Sequence, residues 1–169
     1  KKKFSDERRT EIAAISGEMD IEDLIPNEGC VITLTNFGYA KRQTLDTYRT
    51  QRRGGRGISG MTRRDEDIVT ELFTANSHDY VLFFSDRGRV YRLKCYEVPE
   101  GSRTSRGINI ANLLPLQPEE RITSMIRVEA FDDERYLVMV TKNAVIKRVS
   151  LAAFSNVRKN GLIAIDLAE

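Results

Sequence analysis

Seven consecutive residues concentrate the chemistry of this chain: Gln51, Arg52, Arg53, Gly54, Gly55, Arg56 and Gly57. Three guanidiniums fall within five positions, and arginine is the side chain whose planar donor fork matches phosphate oxygens. The interleaved glycines let the backbone turn sharply and approach whatever the arginines hold. Such a turn is suited to clamping a nucleic-acid backbone, although Arg/Gly clusters also occur in ordinary exposed loops. It lacks the Lys-Ser/Thr pair of a nucleotide-binding P-loop. Arg49, Arg63 and Arg64 flank the cluster and extend the same charge.

The net charge of the 169 residues is only +2, but the charge is sorted. Residues 41–64, 87–106 and 142–159 together hold 19 Lys/Arg against 3 acids, and the rest of the chain holds 8 against 22. Three evenly spaced basic segments are what an electrostatic track for a polyanion requires. The competing reading is solvated loops of mixed charge.

The basic segments follow an internal repeat. Val31–Arg42, Val81–Arg92 and Leu137–Arg148 align as a strand, a short polar turn and a second strand ending in a cation. The turns are Asn36-Phe37-Gly38, Asp86-Arg87-Gly88 and Lys142-Asn143-Ala144, so the third is expected to use Asn143 where the others use glycine. Downstream, Leu45, Cys95 and Leu151 are equivalent, as are Tyr48, Val98 and Phe154. Each repeat then reaches a loop ending Arg56-Gly57-Ile58, Arg106-Gly107-Ile108 or Asn160-Gly161-Leu162. Further strands are expected at 68–73 and 122–128.

About four strands per repeat predicts an all-β, propeller-like array. The divisions expected are a linker at 1–26 and blades at 27–66, 67–118 and 119–169. Three blades do not close a ring, so the chain reads as a fragment, or half, of a larger wheel. A short helix from Ser5 to about Ile15 is expected in the linker, followed by an acidic connector over Glu18–Asp23.

The order of residues in Gln51–Gly57 resembles the gyrase A box, the heptapeptide of the C-terminal DNA-wrapping domain of the DNA gyrase A family, with Arg56 where lysine is commoner. Arg8–Ile12, Asp20–Ile25, Ser85–Tyr91 and Asn112–Leu116 are similar to other parts of that domain and its entry segment. The resemblance implies a six-bladed β-pinwheel whose blades share strands, of which this chain would hold three. It also implies duplex DNA as ligand and a bacterial cytoplasm as the setting. The implied protein partners are the N-terminal part of the same polypeptide and the gyrase B subunit, in an A2B2 complex. ATP and Mg²⁺ would act elsewhere in that complex, with no cofactor, metal or catalytic residue in this portion. The topoisomerase IV A-type subunit has a similar wheel with a degenerate box.

Wrapping DNA needs phosphate contacts repeated at each blade and little base reading. The expected contacts are Arg42, Arg92 and Arg148, with Lys41 and Lys147, Arg56 and Arg106, and the loop cations Arg103, Arg158 and Lys159. A protein-interaction platform and a general RNA binder remain as alternatives, though the blades lack the exposed aromatic pairs that single-strand stacking uses. The tyrosines read as packing residues. Cys95 occupies a leucine slot and reads as buried. His78 reads as a surface residue, and the acids at 18–23 and 132–134 read as solvated. No apolar run is long enough for a membrane helix.

Overall fold

A computed structural model describes residues 20–48 and 67–167. The ten strands among them are β1 (Gly29–Thr35), β2 (Tyr39–Thr44), β3 (Val69–Asn76), β4 (Tyr80–Ser85), β5 (Arg89–Lys94), β6 (Ile108–Asn109), β7 (Ile122–Val128), β8 (Tyr136–Val140), β9 (Ile146–Ser150) and β10 (Leu162–Ile163). They form antiparallel sheets in the orders β3-β1-β2-β6 and β10-β5-β4-β7, with β8-β9 as a separate pair. The helices among the described residues are short 3-10 turns.

The three hairpins β1-β2, β4-β5 and β8-β9 are built alike. Thr35, Ser85 and Thr141 stand before the turns, and their hydroxyls accept backbone N–H groups from Tyr39, from Arg87 and Arg89, and from Val145. The turn then needs a left-handed residue. Gly38 and Gly88 supply it at φ +79° and +70°. In the third hairpin Ala144, not the expected Asn143, takes that conformation at φ +60°. The expectation fails because the turn register follows the threonine hydroxyl, which places the strained position three residues on.

Each hairpin is followed by a 3-10 turn, at Leu45–Thr47, Cys95–Glu97 and Leu151–Phe154, starting at the three equivalent positions of the repeat. Cys95 is fully buried, as its leucine slot implies. Its hydrogen bond with Cys30 and its burial push the thiol up, so it stays protonated.

Strand sharing sets the architecture. β3 pairs with β1 and not with the hairpin that follows it, and β7 pairs with β4. The expected boundaries at 66/67 and 118/119 therefore cut across sheets, because β3 closes the sheet of the first hairpin and β7 that of the second. The fourth strand of each sheet comes from the next repeat, β6 onto β2 and β10 onto β5. Consecutive units are thus stitched by exchanged strands, and the third has two strands among the described residues.

Period-2 alternation in β4 explains the two cores. Val81 and Phe83 point to one face and join Ile32, Leu34, Ala40, Tyr91, Cys95 and Met125. Leu82 points to the other and joins Val90, Val128, Leu151 and Phe154, with Leu137 and Met139 of β8 packed against them. Sheet β10-β5-β4-β7 is covered on both sides, and its central strand reads as a continuous apolar run for that reason. Phe83→Ala would cost about 3–5 kcal/mol.

The entry segment is anchored to the second repeat. Glu22, in a 3-10 turn at Ile21–Leu24, meets Lys94 Nζ at 2.8 Å, and His78 Nε2 lies 2.7 Å from the Ile25 carbonyl. His78 is thus half-buried against the connector, and Glu22 is an anchor in place of the expected solvated acid. The tertiary approach of residues more than 50 apart makes both contacts. The expected helix from Ser5 lies outside the described residues.

Candidate nucleic-acid interface

Of the expected contact residues, Gln51–Gly57, Arg49, Arg63 and Arg64 lie outside the described residues. The others divide into two structural groups. One group, Lys41, Arg42 and Arg92, is turned inward and joins the repeats to each other; the second lies on strand β9 and on two loops and is exposed except for the half-buried Arg106.

Lys41 belongs to the first group. It sits in β2 at 0% exposure, and its Nζ donates to the carbonyls of Ser102, Arg103 and Ser105 at 3.0, 3.0 and 3.1 Å. Burial lowers its pKa from the ordinary lysine value. A side chain enclosed in this way does not reach a phosphate, which corrects the expectation of a rim contact. The sequence points to a charged strand end; only the fold shows that the next repeat's loop closes over it.

Arg42 and Arg92 are also latches. Arg42 Nε donates to the Val98 carbonyl at 3.2 Å, its guanidinium lies 3.6 Å from Glu100, and its side chain is 16% exposed. One repeat later, Arg92 donates to the Ser155 carbonyl while its guanidinium stands over the rings of Tyr80 and Phe131 at 5.1 and 5.7 Å. Both arginines grip the end of the 3-10 turn in the next repeat. Their regular spacing, which suggests a phosphate track, is the spacing of a repeated inter-unit joint. Arg148 is exposed, with its guanidinium 4.7 Å over Tyr136, the repeat equivalent of Tyr80. Lys147 is exposed but donates to the Ala164 carbonyl at 2.7 Å.

The exposed cations cluster on two equivalent loops. Residues 101–107 lead into β6 and carry Arg103, which is exposed, and Arg106, which is half-buried with its guanidinium 5.4 Å from the Tyr39 ring centroid. Residues 155–161 lead into β10 and carry Arg158 and Lys159, both exposed. Each loop ends in a left-handed glycine that permits a close approach to the preceding repeat. Gly107, at φ +87°, would place a Cβ 2.4 Å from the Ala40 carbonyl, and Gly161, at φ +76°, would place one 2.8 Å from Tyr91. Arg89 supports the second loop by donating to the Asn160 carbonyl at 2.8 Å.

The tyrosines Tyr39, Tyr80 and Tyr136, expected only to pack, each have a guanidinium stacked on them. Tyr80 and Tyr136 share one repeat position at the start of the first hairpin strand, a signal that could have found them, whereas Tyr39 starts the second strand of its hairpin. Arg87, Arg121 and Lys142 are further exposed cations that the sequence pattern does not single out. Among the described residues, no group of three or more His, Cys, Asp or Glu could hold a metal, and no helix is long and apolar enough to cross a membrane.

Comparison with known proteins agrees with the repeat. The family model described as DNA gyrase C-terminal domain, beta-propeller matches three times, at residues 31–76, 79–129 and 135–169. Each match begins at a hairpin, and the first two end with the strand that closes the hairpin's own sheet. The A subunit of DNA gyrase from Halalkalibacterium halodurans is 50% identical over the whole chain, and its counterpart from Clostridium acetobutylicum 48% over 99% of it. The chain spans about a fifth of the length of either relative, 20% in both cases.

Among solved structures, a C-terminal domain of DNA topoisomerase IV superposes with a TM-score of 0.72 at 26% identity, covering 86% of this chain and 44% of that one. A DNA gyrase A C-terminal domain gives 0.67 at 30%, covering 84% and 45%. With three tandem matches over most of its length and close to half its residues shared with those relatives, the chain belongs to the DNA gyrase A C-terminal domain family.

Proposed function

We propose that this chain is a non-catalytic module that binds duplex DNA along exposed basic loops and wraps it, setting the handedness of supercoiling by a type II topoisomerase of the gyrase kind. The observation that carries this reading is the equivalence of loops 101–107 and 155–161. Consecutive repeats present cations at the same place, immediately before an exchanged strand, and the sequence repeat puts Gln51–Gly57 at the corresponding place in the first. A path of this kind contacts the backbone at intervals and reads no bases.

The energetic requirement is modest. Bending 20–30 base pairs by 40–90° costs on the order of 1–6 kcal/mol. Charge-assisted contacts of about 1.5–3 kcal/mol each offset it when several form together. The heptapeptide would hold one end of the wrap and fix its hand. The chain would work as part of a longer gyrase A polypeptide, joined by the gyrase B subunit in an A2B2 complex in the bacterial cytoplasm. DNA cleavage, ATP and Mg²⁺ would belong to other parts of that complex.

A ligation assay tests the reading. Nicked circular DNA is sealed in the presence of stoichiometric protein, and the linking number of the product is compared with a protein-free control. A protein-dependent positive shift is expected. Salt-sensitive binding without a shift would leave a DNA grip without chirality, closer to a topoisomerase IV-type wheel. No binding to duplex DNA would return the chain to a protein-interaction platform.

A further inference from the structure

A buried ammonium is expensive unless dipoles surround it. That of Lys41 is enclosed by the very loop that carries Arg103 and Arg106, with the carbonyls of Ser102, Arg103 and Ser105 turned onto it. Other bonds to the same loop are short-range or lie at its edge. Gly101 N–H donates to the Arg42 carbonyl at 2.9 Å, and Ser105 N–H and Oγ reach the Ser102 carbonyl at 3.1 and 2.9 Å. Glycines at both ends let the loop lie against the lysine. A Cβ at Gly101 would stand 3.1 Å from Lys41 Cδ, and one at Gly107 3.1 Å from Lys41 Cβ.

We infer that Lys41 is a positioning residue for phosphate binding. It makes no contact with DNA and holds loop 101–107 from within, so that Arg103 and Arg106 meet the backbone already ordered. Preorganisation of this kind strengthens binding by removing the entropy cost of fixing a loop at the moment of contact. The next repeat differs: Tyr91 occupies the position equivalent to Lys41, and its hydroxyl donates to Glu120 at 2.8 Å. There, loop 155–161 is braced instead by Arg89. The inference rests on the proposed DNA binding.

The test compares the 169-residue chain with K41M, K41R, R103A/R106A and the combined K41M/R103A/R106A variant. Duplex affinity is measured against salt, and amide hydrogen exchange is followed in the free proteins. K41M is expected to weaken binding about tenfold, the equivalent of one charge-assisted contact. It should also flatten the slope of log K against log salt by up to about 1.8, the share of two phosphate contacts. K41R, which keeps the charge but does not fit the three-carbonyl cage, should behave like K41M. The triple variant should lose nothing beyond R103A/R106A, and the amides of 104–107 should exchange faster in K41M.

Unchanged affinity and slope in K41M would overturn the inference, as would a loss that adds to that of R103A/R106A. If the parent shows no salt-dependent duplex binding, the functional reading fails and the inference with it; binding by the parent with an inert K41M substitution sinks the inference alone. If K41M does not fold, G107A displaces the loop from the Ala40 carbonyl without removing a charge, and the same measurements apply.

Discussion

Single residues carry the pH limits of this fold. Tyr91 is buried in the core that joins the first two repeats and donates to Glu120 Oε2 at 2.8 Å, which also accepts the Gln117 N–H at 2.7 Å. Burial, then the hydrogen bond to Glu120, pushes the Tyr91 phenol up from 10.0 to about 12. Burial alone would raise the Glu120 carboxyl, but the Ser85 hydroxyl, the Gln117 amide and the Tyr91 hydroxyl outweigh it and hold it below the usual value of 4.5. A raised folded-state value stabilises below the unfolded one, and a lowered value stabilises above it. Stability should therefore decline as pH rises from 10 towards 12 and as it falls below 4.5, and Tyr91→Phe should remove the Tyr91 share of the alkaline decline in a urea titration, leaving the share of the buried Cys95 thiol, which is also pushed up. At Ala144 the left-handed backbone is strained for a residue with a Cβ. Ala144→Gly should stabilise by about 0.5–1 kcal/mol in the same titration.

At the scale of elements, the basic residues separate into joints and contacts, and mutation should separate them in opposite directions. Arg92→Met removes the latch onto Ser155 and the guanidinium that lies over the Tyr80 and Phe131 rings. It should lower stability by about 1–3 kcal/mol, with a small change in duplex affinity. Arg158→Ala with Lys159→Ala should leave the melting temperature nearly unchanged and reduce the salt slope by about 1.8 if both touch phosphate. The hairpins were legible because β-rich runs flank a short polar turn, two of the three turns carry glycine, and the pattern recurs three times. The exchanged strands were not legible. β6 and β10 are two residues long, too short to show any periodicity, and they exist because their partners β2 and β5 offer free backbone groups.

Across the whole molecule, exchanged strands make the stability of each unit depend on the next. A chain ending at Lys159 would lose β10 and the bonds from Ala164 and Ile165 N–H to the Gly88 carbonyl. Exchange at the amides of β5 should then accelerate, while β1 and β2, completed by β6, keep their protection. β8 presents the same dependence in the intact chain. Leu137 and Met139 pack onto the second sheet, whereas Val138 and Val140 on its other face are 61% and 65% exposed.

Read alone, the 169 residues determined the all-β class, the three repeats, the hairpins, the burial of Cys95 and the segregation of charge, because each of these is a local pattern of residue types at a short, regular spacing. Which cations face solvent, which repeat owns the strands at 69–76 and 122–128, and which neighbours fill the last place in each sheet were decided only by tertiary structure. Lys41 and Arg103 are both cations of the basic segments, yet one is sealed beneath a loop and the other stands on it. The difference depends on where a segment about 60 residues away comes to rest, and hydrogen bonding of its backbone carbonyls, not the type of either side chain, settles that.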